Sequence, residues 1–273
     1  MLITPDHTLS RYKQTLAQRF DRASLSYDAY ADFQRIVLRR LLQTLPSTEA
    51  EVVLDLGAGT GQALDALVTR YQPPLCVALD LSSQMLSVAR AQHGWLGQVQ
   101  YVCADAEQLP MADDACHLVF SSLAVQWCLN PRALFEELYR ITQPGGYVVF
   151  STLLQGSMEE VSTAWRALDG QEHVHRYDSM EAVRGYVEAA HWSVLSAESV
   201  CTTMWFESAK GAIDSLKKIG ASLIASQNRD GMSPSKWKAF LSEYEKQRCT
   251  QGVPLSYQVS YIVARKPMNN QEK

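Results

Sequence analysis

The stretch Val52-Val53-Leu54-Asp55-Leu56-Gly57-Ala58-Gly59-Thr60-Gly61 decides how this chain folds. Its first half is dominated by β-branched and aliphatic residues, which is typical of a buried strand. Three glycines follow at alternate positions, and glycine is required where the backbone adopts positive φ or lies too close to a ligand for a Cβ. A helix-forming run begins at Gln62 and would present unpaired N–H groups at its start. The pattern predicts a strand, a tight turn and a helix that together bind a nucleotide.

The spacing of the glycines separates two kinds of nucleotide site. Dinucleotide-binding turns have the pattern Gly-x-Gly-x-x-Gly, which this stretch does not contain. Asp55 precedes the glycines, and a carboxylate is unfavourable beside a pyrophosphate but favourable beside a sulfonium or ammonium group. The turn therefore resembles motif I of the class I S-adenosylmethionine-dependent methyltransferases. The resemblance implies that S-adenosylmethionine is bound by Asp55, Gly57, Ala58, Gly59 and Gly61.

Later strand ends extend this resemblance. The apolar run 75–80 ends in Asp80, nineteen positions after Gly61, where a carboxylate can accept hydrogen bonds from both ribose hydroxyls. The alternative for Asp80 is a cap on the helix that follows. The family pattern also implies cofactor contacts from Leu81 and Met85 after the second strand, Asp105, Ala106 and Glu107 at the adenine, and Ser121 at the methionine part.

The order of predicted elements indicates an α/β fold. Strands are predicted at 52–56, 75–80, 99–103, 115–121, 147–152, 193–206 and 259–265, with helices at 61–71, 82–92 and 131–141 between the early strands. This alternation favours a mostly parallel sheet with helices on both faces. We expect one Rossmann-like class I methyltransferase domain over residues 1–273, with a seven-stranded, mostly parallel sheet.

Two further expectations concern the connections between these elements. Pro144-Gly145-Gly146 is expected to form the turn before the fifth strand. Helical additions are expected at about 1–45, 156–178 and 208–250. The last of these separates the final two strands by about fifty residues, and an insertion of that length is usually a lid or a binding element.

Composition limits the classes of function. The chain has 273 residues, 47% of them hydrophobic, and a net charge of −4, which disfavours a general nucleic-acid binder. No run of eighteen apolar residues is present and the start lacks the blocks of a signal peptide, so we expect no membrane association and a cytoplasmic location. The six cysteines show no ligand spacing, and neither a disulfide nor a metal site is expected.

Two aromatic residues ahead of the first strand are candidate walls of the cofactor site. Phe20 and Tyr27 lie in a segment rich in aromatic and acidic residues. In the methyltransferase superfamily, which this chain resembles, such a segment commonly folds over the cofactor. Ordinary packing against the body of the protein is an equal alternative for both side chains.

The segment 209–250 has a charge opposite to that of the whole chain. Eight basic residues stand against four acidic residues there, a balance of +4 on a protein whose net charge is −4. A solvated helix surface is one explanation. The other is a docking surface for an acidic partner, where charge would act mainly on encounter rate and register.

Several segments outside motif I resemble one particular family. Residues 121–128, 150–157, 164–165, 173–177 and 215–221 are similar to the malonyl-acyl carrier protein O-methyltransferases of biotin synthesis, and the resemblance covers about 20–266. It implies methyl transfer from S-adenosylmethionine to the free carboxylate of a malonyl thioester, on acyl carrier protein or coenzyme A, giving the ester from which the pimeloyl precursor is made. Because acyl carrier proteins are strongly acidic, carrier recognition is expected from Lys217, Lys218, Lys236 and Lys238.

This chemistry needs positioning rather than a catalytic base. A carboxylate is already ionised at neutral pH, so we expect no catalytic residue in the sense of a general base. Rate enhancement would come from holding the oxygen in line with the methyl group in a site without water. We predict that Arg176 and Gln126 orient the carboxylate, with His173 as another source of charge and Trp127 excluding water. Core packing of Trp127 and a surface ion pair of Arg176 are the alternatives.

Three other functions compete with this interpretation. The first is methyl transfer to another small carboxylic acid or to a quinone. The second is a nucleotide-binding oxidoreductase, which the glycine spacing and Asp55 disfavour. The third is cofactor binding without catalysis, which the intact motifs at each strand end disfavour.

Overall fold

A seven-stranded sheet forms the centre of the computed structural model, which describes residues 7–171, 173–220 and 233–268. Its strands are β1 (Val52–Leu56), β2 (Leu75–Asp80), β3 (Val99–Cys103), β4 (Cys116–Ser122), β5 (Thr142–Leu153), β6 (Ser193–Phe206) and β7 (Val253–Arg265). They lie in the order β3-β2-β1-β4-β5-β7-β6. Every pair is parallel except the two formed by β7, which is antiparallel to β5 and β6. The predicted seven-stranded, mostly parallel sheet is confirmed.

Ten α-helices surround the sheet in the described ranges. They are α1 (His7–Ala23), α2 (Tyr27–Tyr30), α3 (Asp32–Gln43), α4 (Leu64–Tyr71), α5 (Ser83–His93), α6 (Pro131–Ile141), α7 (Glu159–Asp169), α8 (Met180–Ala189), α9 (Ala209–Lys218) and α10 (Pro234–Glu245). A short 3-10 turn covers Val125–Trp127.

Local sequence explains where many of these helices begin. Five of them follow a serine or asparagine whose side chain accepts a hydrogen bond from an N–H three residues later, and these caps are Ser82, Asn130, Ser179, Ser208 and Ser233. A cap of this kind contributes about 1 kcal/mol to helix stability. Proline occupies the first turn of α6 and α10, where its missing N–H removes no helical hydrogen bond.

Helices pack on both faces of the sheet. On one face, Trp165 of α7 and Phe240 of α10 are fully buried and stack with ring centroids 4.3 Å apart. On the other face, Phe135 of α6 and Val187 of α8 are fully buried. Burial of each such side chain contributes about 1.5–3 kcal/mol. The strands are therefore held from both sides, and their carboxyl ends are fixed in position.

The starts of α4 and β7 are among the boundaries that differ from the sequence prediction. Helix α4 begins at Leu64 rather than at 61, because Gly61 (φ +85°) still belongs to the turn and donates its N–H to the Ala58 carbonyl at 2.9 Å. Strand β7 begins six residues earlier than predicted, at Val253. It does so because it pairs with β6 along its whole length, starting from Val253 opposite Phe206.

The predicted turn at Pro144-Gly145-Gly146 lies inside β5. The register between β4 and β5 shifts between Cys116 and Leu118, and Gly145 has a φ of +82°. The segment is therefore an irregular part of an extended strand, which begins at Thr142 as soon as α6 ends. The sequence prediction of a separate turn was wrong here.

The helical additions include α1 to α3 before β1, α7 after β5, and α9 and α10 between β6 and β7. Residues 221–232 of the predicted 208–250 addition, including Arg229 and Asp230, lie outside the described residues. The extent of the domain over 1–273 stays a prediction. Across the described ranges, no helix is both long and apolar enough to cross a membrane. The same ranges contain no group of three or more His, Cys, Asp or Glu side chains suited to a metal ion.

Candidate active site

The glycine turn after β1 leaves an open space beside it. Gly57 and Gly59 have φ values of +72° and +55°, which glycine adopts without strain. A Cβ on Gly57 would lie 2.3 Å from the Cβ of Ala124, whereas one on Gly59 would meet nothing within 4 Å. The N–H groups of Gly57 and Ala58 donate to the Leu79 carbonyl at 2.8 and 3.0 Å. The turn is thus packed against the protein at Gly57 and faces an unfilled volume at Gly59.

Asp80 links this turn to the next one. Its Oδ2 accepts a hydrogen bond from the Gly59 N–H at 2.9 Å, and its Oδ1 accepts one from the Ser82 N–H at 2.8 Å. Burial raises the pKa of Asp80, although these two N–H groups counteract the rise. The cap of α5 is Ser82 rather than Asp80, since the Ser82 Oγ accepts from the Met85 N–H at 3.1 Å. Asp80 lines the cavity, and each of its carboxylate oxygens can accept a further hydrogen bond from a ligand.

Asp55 lies behind the turn as a buried acid. The residue is 2% exposed, and its Oδ2 has no hydrogen-bond partner among the described residues. Burial, and after it the charge of Asp80, raise the pKa of Asp55 from 3.8 to about 7. A cation bound nearby would offset both effects. The open side of the glycine turn and the two acids behind it fit a positively charged nucleoside such as S-adenosylmethionine.

Lys13 of α1 bridges two acids in the loop after β3. Its ammonium group pairs with both Asp105 and Glu107. Burial lowers the pKa of Lys13, but its hydrogen bonds to these carboxylates outweigh burial and the pKa is raised. Glu107 also accepts a hydrogen bond from the Asn130 N–H at 2.6 Å. The loop predicted to meet the adenine is therefore held by a residue that sequence analysis did not single out.

Residues 13–28, which we call the N-terminal strap, also contact the first two cofactor loops. Asp21 accepts a hydrogen bond from the Ser82 hydroxyl at 2.6 Å, in the loop after β2. Asp28 accepts hydrogen bonds from the Thr60 hydroxyl and the Gln62 amide, both at 2.6 Å, in the loop after β1. Together with the lysine bridge, the strap is tied to the loops after β1, β2 and β3.

Two aromatic residues of the strap lie on the cavity wall. Phe20 packs edge-on against Trp127, with ring centroids 5.6 Å apart. Burial, and after it the charges of Asp80 and Asp28, raise the pKa of Tyr27, so its hydroxyl stays protonated at neutral pH. Both rings therefore line the cavity, and their contact with the cofactor stays a prediction.

The loops and the strap enclose a cavity of about 1210 Å³, counting its open mouth. The predicted cofactor residues on its wall are Phe20, Tyr27, Gly57, Gly59, Asp80, Leu81, Met85, Asp105, Ala106 and Glu107. Asp55, Ala58, Gly61 and Ser121 do not line it. Gly61 packs against Leu64 and His93, and the Ser121 hydroxyl donates to the Leu56 carbonyl at 2.9 Å. The neighbouring Ser122 lines the cavity instead.

The residues predicted to hold the substrate carboxylate do not all lie on the cavity wall. Gln126 lines the wall together with Trp127, but the Gln126 amide donates to the Leu123 carbonyl at 2.7 Å and accepts from the Thr152 hydroxyl at 3.1 Å. Arg176 is exposed and does not line the cavity. The structure therefore brings Trp127 to the site and leaves the predicted charge outside it.

His173 lies in a cluster that joins α7 to α10. Its ring centroid is 4.2 Å from that of Trp165, and its Nε2 is 2.8 Å from Asp169 Oδ2. The Lys236 ammonium is also 2.8 Å from that oxygen. Burial would raise the pKa of Asp169, but hydrogen bonds from Lys236, the Gln171 N–H and His173 lower it to about 2. His173 and Lys236 therefore stabilise the packing of two helices, and His173 does not line the cavity.

Besides Lys13 and Ser122, sequence analysis missed three other polar residues of the cavity wall, Gln34, Tyr177 and Tyr257. Tyr177 directly follows the predicted Arg176 in a segment without helix or strand, where Tyr177 is half-buried and Arg176 is exposed. Tyr257 is 4% exposed and stacks on Phe33 with ring centroids 3.8 Å apart. The alternation of apolar and polar residues in the last strand would have indicated an inward-facing Tyr257, whereas Gln34 gave no signal.

Exposed lysines lie beside the cavity at the end of α9. Leu216 and Ile219 line the cavity, and the intervening Lys217 and Lys218 are exposed. The Lys218 ammonium lies 3.8 Å from the ring centroid of Tyr30. On α10, Lys238 is also exposed. All four predicted docking lysines are therefore exposed, although Lys217 lies 3.6 Å from an Asp214 oxygen and Lys236 lies 2.8 Å from an Asp169 oxygen.

The fold and the cavity define a class I, S-adenosylmethionine-dependent methyltransferase. A sequence profile described as a methyltransferase domain matches residues 54–150. The fold is shared with the solved structure of geranyl diphosphate C-methyltransferase from Streptomyces coelicolor A3(2), which contains S-adenosyl-L-homocysteine. That comparison has a TM-score of 0.54 and 14% identity, and it covers 85% of this chain and 76% of the other.

Within this class, the chain belongs to the malonyl-[acyl-carrier protein] O-methyltransferase family. It is 60% identical over 267 residues to the family member of a Marinomonas species, covering 98% of this chain and 99% of that one. It is 38% identical over 253 residues to the member from Pectobacterium atrosepticum, with coverage of 92% and 96%. The family predicted from the segments outside motif I is confirmed.

Proposed function

We propose that this protein transfers a methyl group from S-adenosylmethionine to the free carboxylate of malonyl-acyl carrier protein, giving the methyl ester from which pimeloyl synthesis for biotin begins. The observation that carries the proposal is one cavity lined by two chemically different sets of residues. Gly59, Asp80 and Asp105 belong to the first set, and the uncharged Tyr177 and Tyr257 belong to the second. Membership of the family supports the same reaction. The cytoplasmic location stays a prediction.

The acidic residues of the cavity wall are suited to the positively charged cofactor. We assign the ribose hydroxyls to Asp80, the adenine amino group to Asp105 and Ala106, and the close backbone approach to Gly59. Asp55 supplies negative charge from behind the turn. When bound, S-adenosylmethionine supplies an electrophilic methyl group attached to a sulfonium sulfur. The protein's part is to hold that cation with acids and backbone groups that are already in place.

Catalysis by the chain's own residues consists of positioning and exclusion of water. The malonyl carboxylate is ionised at neutral pH, so no side chain has to remove a proton. Phe20 and Trp127, which are in edge-on contact, and the N-terminal strap shield the reacting oxygen from solvent. Fixing the angle at which the oxygen approaches the methyl carbon supplies most of the remaining rate enhancement. We assign no general base and no metal ion to the reaction.

The carrier protein docks, on this proposal, at the exposed basic surface of α9 and α10. Lys217, Lys218 and Lys238 contribute positive charge, and Leu216 and Ile219 place that surface at the cavity wall. An acidic carrier would be oriented there with its phosphopantetheine arm towards the cavity. Malonyl-coenzyme A has the same arm without the protein surface, and we propose it as the weaker of two acyl carriers.

The reaction is tested by incubating the protein with S-adenosylmethionine and malonyl-acyl carrier protein, followed by mass analysis of the intact carrier. With the wild-type enzyme, we expect the mass of the carrier to increase by one CH2 group. With Asp80→Ala we expect no increase, because the proposed ribose contact is removed. Free dicarboxylic acids and quinols are the comparison substrates. Preferential methylation of either would contradict the proposal and favour a different small-molecule methyltransferase.

Docking is tested by the double variant Lys218→Glu/Lys238→Glu. We expect KM for malonyl-acyl carrier protein to rise roughly tenfold through loss of charge complementarity, with little change for malonyl-coenzyme A. Arg132→Glu is the matched control, since Arg132 is an exposed cation on α6, which packs on the opposite face of the sheet from α10. Equal effects on both substrates would contradict the docking surface.

A further inference from the structure

On the proposed function, the malonyl carboxylate enters a cavity whose described wall carries one cationic side chain, Lys13. That ammonium lies between Asp105 and Glu107, so its charge is already balanced. A buried carboxylate still has to receive hydrogen bonds, because an unpaired buried charge is strongly unfavourable. The donors must therefore be neutral side chains or backbone groups.

Besides Tyr27, which was assigned to the cofactor, two tyrosines on the wall have hydroxyl groups without a hydrogen-bond partner among the described residues. Neither Tyr177 nor Tyr257 makes a hydroxyl hydrogen bond to another described residue. Their rings are nevertheless held in place, since Tyr257 stacks on Phe33 at 3.8 Å and Tyr177 packs edge-on against His175 at 5.0 Å. Burial raises the pKa of both tyrosines, so both hydroxyls remain donors at neutral pH.

Gln34 is a further neutral group on the cavity wall. It lies next to Phe33 on α3 and lines the wall. Its Oε1 is buried without a hydrogen-bond partner among the described residues. The oxygen and nitrogen of a glutamine amide can exchange places by rotation, so the same position can present an N–H donor to a ligand. An unpaired buried amide is unfavourable by itself and favourable once a ligand oxygen arrives.

We propose that Tyr177, Tyr257 and Gln34 hold the substrate carboxylate through uncharged hydrogen bonds and thereby select an acyl group that ends in a carboxylate. Neutral donors orient the oxygen without neutralising it, so the ground state is stabilised less than in an ion pair and the oxygen remains nucleophilic. The methyl ester carries no charge and accepts weaker hydrogen bonds, which favours release of the product.

The first test is kinetic. Tyr177→Phe and Tyr257→Phe retain the ring and remove the hydroxyl, and each should lower kcat/KM for malonyl-acyl carrier protein roughly 10- to 100-fold. The melting temperature and the affinity for S-adenosylmethionine should stay unchanged. Tyr261→Phe is the matched control, because Tyr261 is on the same strand as Tyr257, is buried with an unpartnered hydroxyl, and does not line the cavity. Equal losses in Tyr257→Phe and Tyr261→Phe would overturn the assignment.

The second test separates recognition of the carboxylate from a structural effect. Malonyl- and acetyl-acyl carrier protein are compared for binding in the presence of S-adenosylhomocysteine, since only the first has the carboxylate. We expect wild type to prefer the malonyl form and Tyr177→Phe, Tyr257→Phe and Gln34→Leu to lose that preference while still binding the acetyl form. Equal loss of both affinities would overturn the proposal.

The same experiments distinguish this proposal from the function on which it depends. A wild-type protein that does not methylate malonyl-acyl carrier protein contradicts the proposed function. A different outcome would overturn only the assignment of neutral donors: wild type and both tyrosine variants are fully active, and Arg176→Ala loses the preference for the malonyl form. The proposed function would then stand.

Discussion

Replacing Asp55 by asparagine should stabilise the free protein at alkaline pH and weaken cofactor binding. Asp55 is 2% exposed and its pKa is raised from 3.8 to about 7, first by burial and then by Asp80. Because the pKa is raised in the folded state, the contribution of this acid to stability is complete below its unfolded-state pKa and is lost as pH rises through 7. The shift of about three units corresponds to about 4 kcal/mol at alkaline pH, at about 1.4 kcal/mol per unit.

Asparagine removes the buried charge but brings an amide that lacks a partner, which costs about 1–3 kcal/mol. The net expectation is a gain of about 2 kcal/mol at pH 8.5 and a gain near zero at pH 5. The difference between the two pH values, about 2–3 kcal/mol, does not depend on the amide. Urea unfolding of wild type and variant at both pH values measures it. The control is Asp65→Asn, which changes an exposed acid on α4.

The same substitution tests the role of Asp55 in binding. A bound cation lowers the pKa of Asp55, so wild type should release a proton on binding S-adenosylmethionine at pH 6, and its affinity should increase towards pH 8. The variant should bind more weakly and show a smaller pH dependence. Calorimetry in two buffers of different ionisation enthalpy counts the proton. A stability difference that is the same at both pH values, or an equal proton count in wild type and variant, would refute the reasoning.

Three further predictions concern the cofactor loops. Asp28→Ala removes hydrogen bonds to Thr60 and Gln62 and should weaken S-adenosylmethionine binding roughly tenfold, measured by calorimetry; unchanged affinity would contradict a role for the strap. Lys13→Met leaves Asp105 facing another acid and should speed dissociation of S-adenosylhomocysteine in stopped-flow experiments, with an unchanged rate as the contrary outcome. Gly57→Ala should destabilise the protein by about 2 kcal/mol or more, because its Cβ would lie 2.3 Å from that of Ala124. Ala124→Gly should recover the steric part in the double variant, and no recovery would place the whole cost in the positive φ of Gly57.

Much of the fold could be predicted because its signals are local. The strand that ends before Gly57 and the strand that ends at Asp80 were predicted to the residue, since apolar runs bounded by glycine or an acid mark both ends of a buried strand. Boundaries failed where a distant partner decides them. Strand β7 extends to Val253 because β6 continues opposite it, and no feature of residues 253–258 alone indicates how long that partner is.

The candidate site shows the same difference between residues with a local sequence signal and residues placed by distant partners. Residues such as Gly59 and Asp105 belong to short motifs that a family resemblance identified, and both line the cavity. Lys13 and Asp28 reach their partners across long stretches of sequence, and an ordinary lysine or aspartate on a helix gives no sign of such a contact. On the predicted substrate side, Tyr177 lines the cavity and the neighbouring Arg176 does not, because the direction of a side chain in a segment without regular structure depends on the packing around it.

The N-terminal strap leads directly into α3, whose Phe33 and Gln34 lie on the cavity wall. On the proposed assignments, one continuous stretch of chain would therefore contact both the cofactor and the substrate. If S-adenosylhomocysteine orders this stretch, it also increases the affinity for the acylated carrier. Thermodynamic linkage then requires that the carrier increases the affinity for S-adenosylhomocysteine by the same factor. Departure of the first product is thus expected to hasten departure of the second, which would make turnover depend on a single opening event.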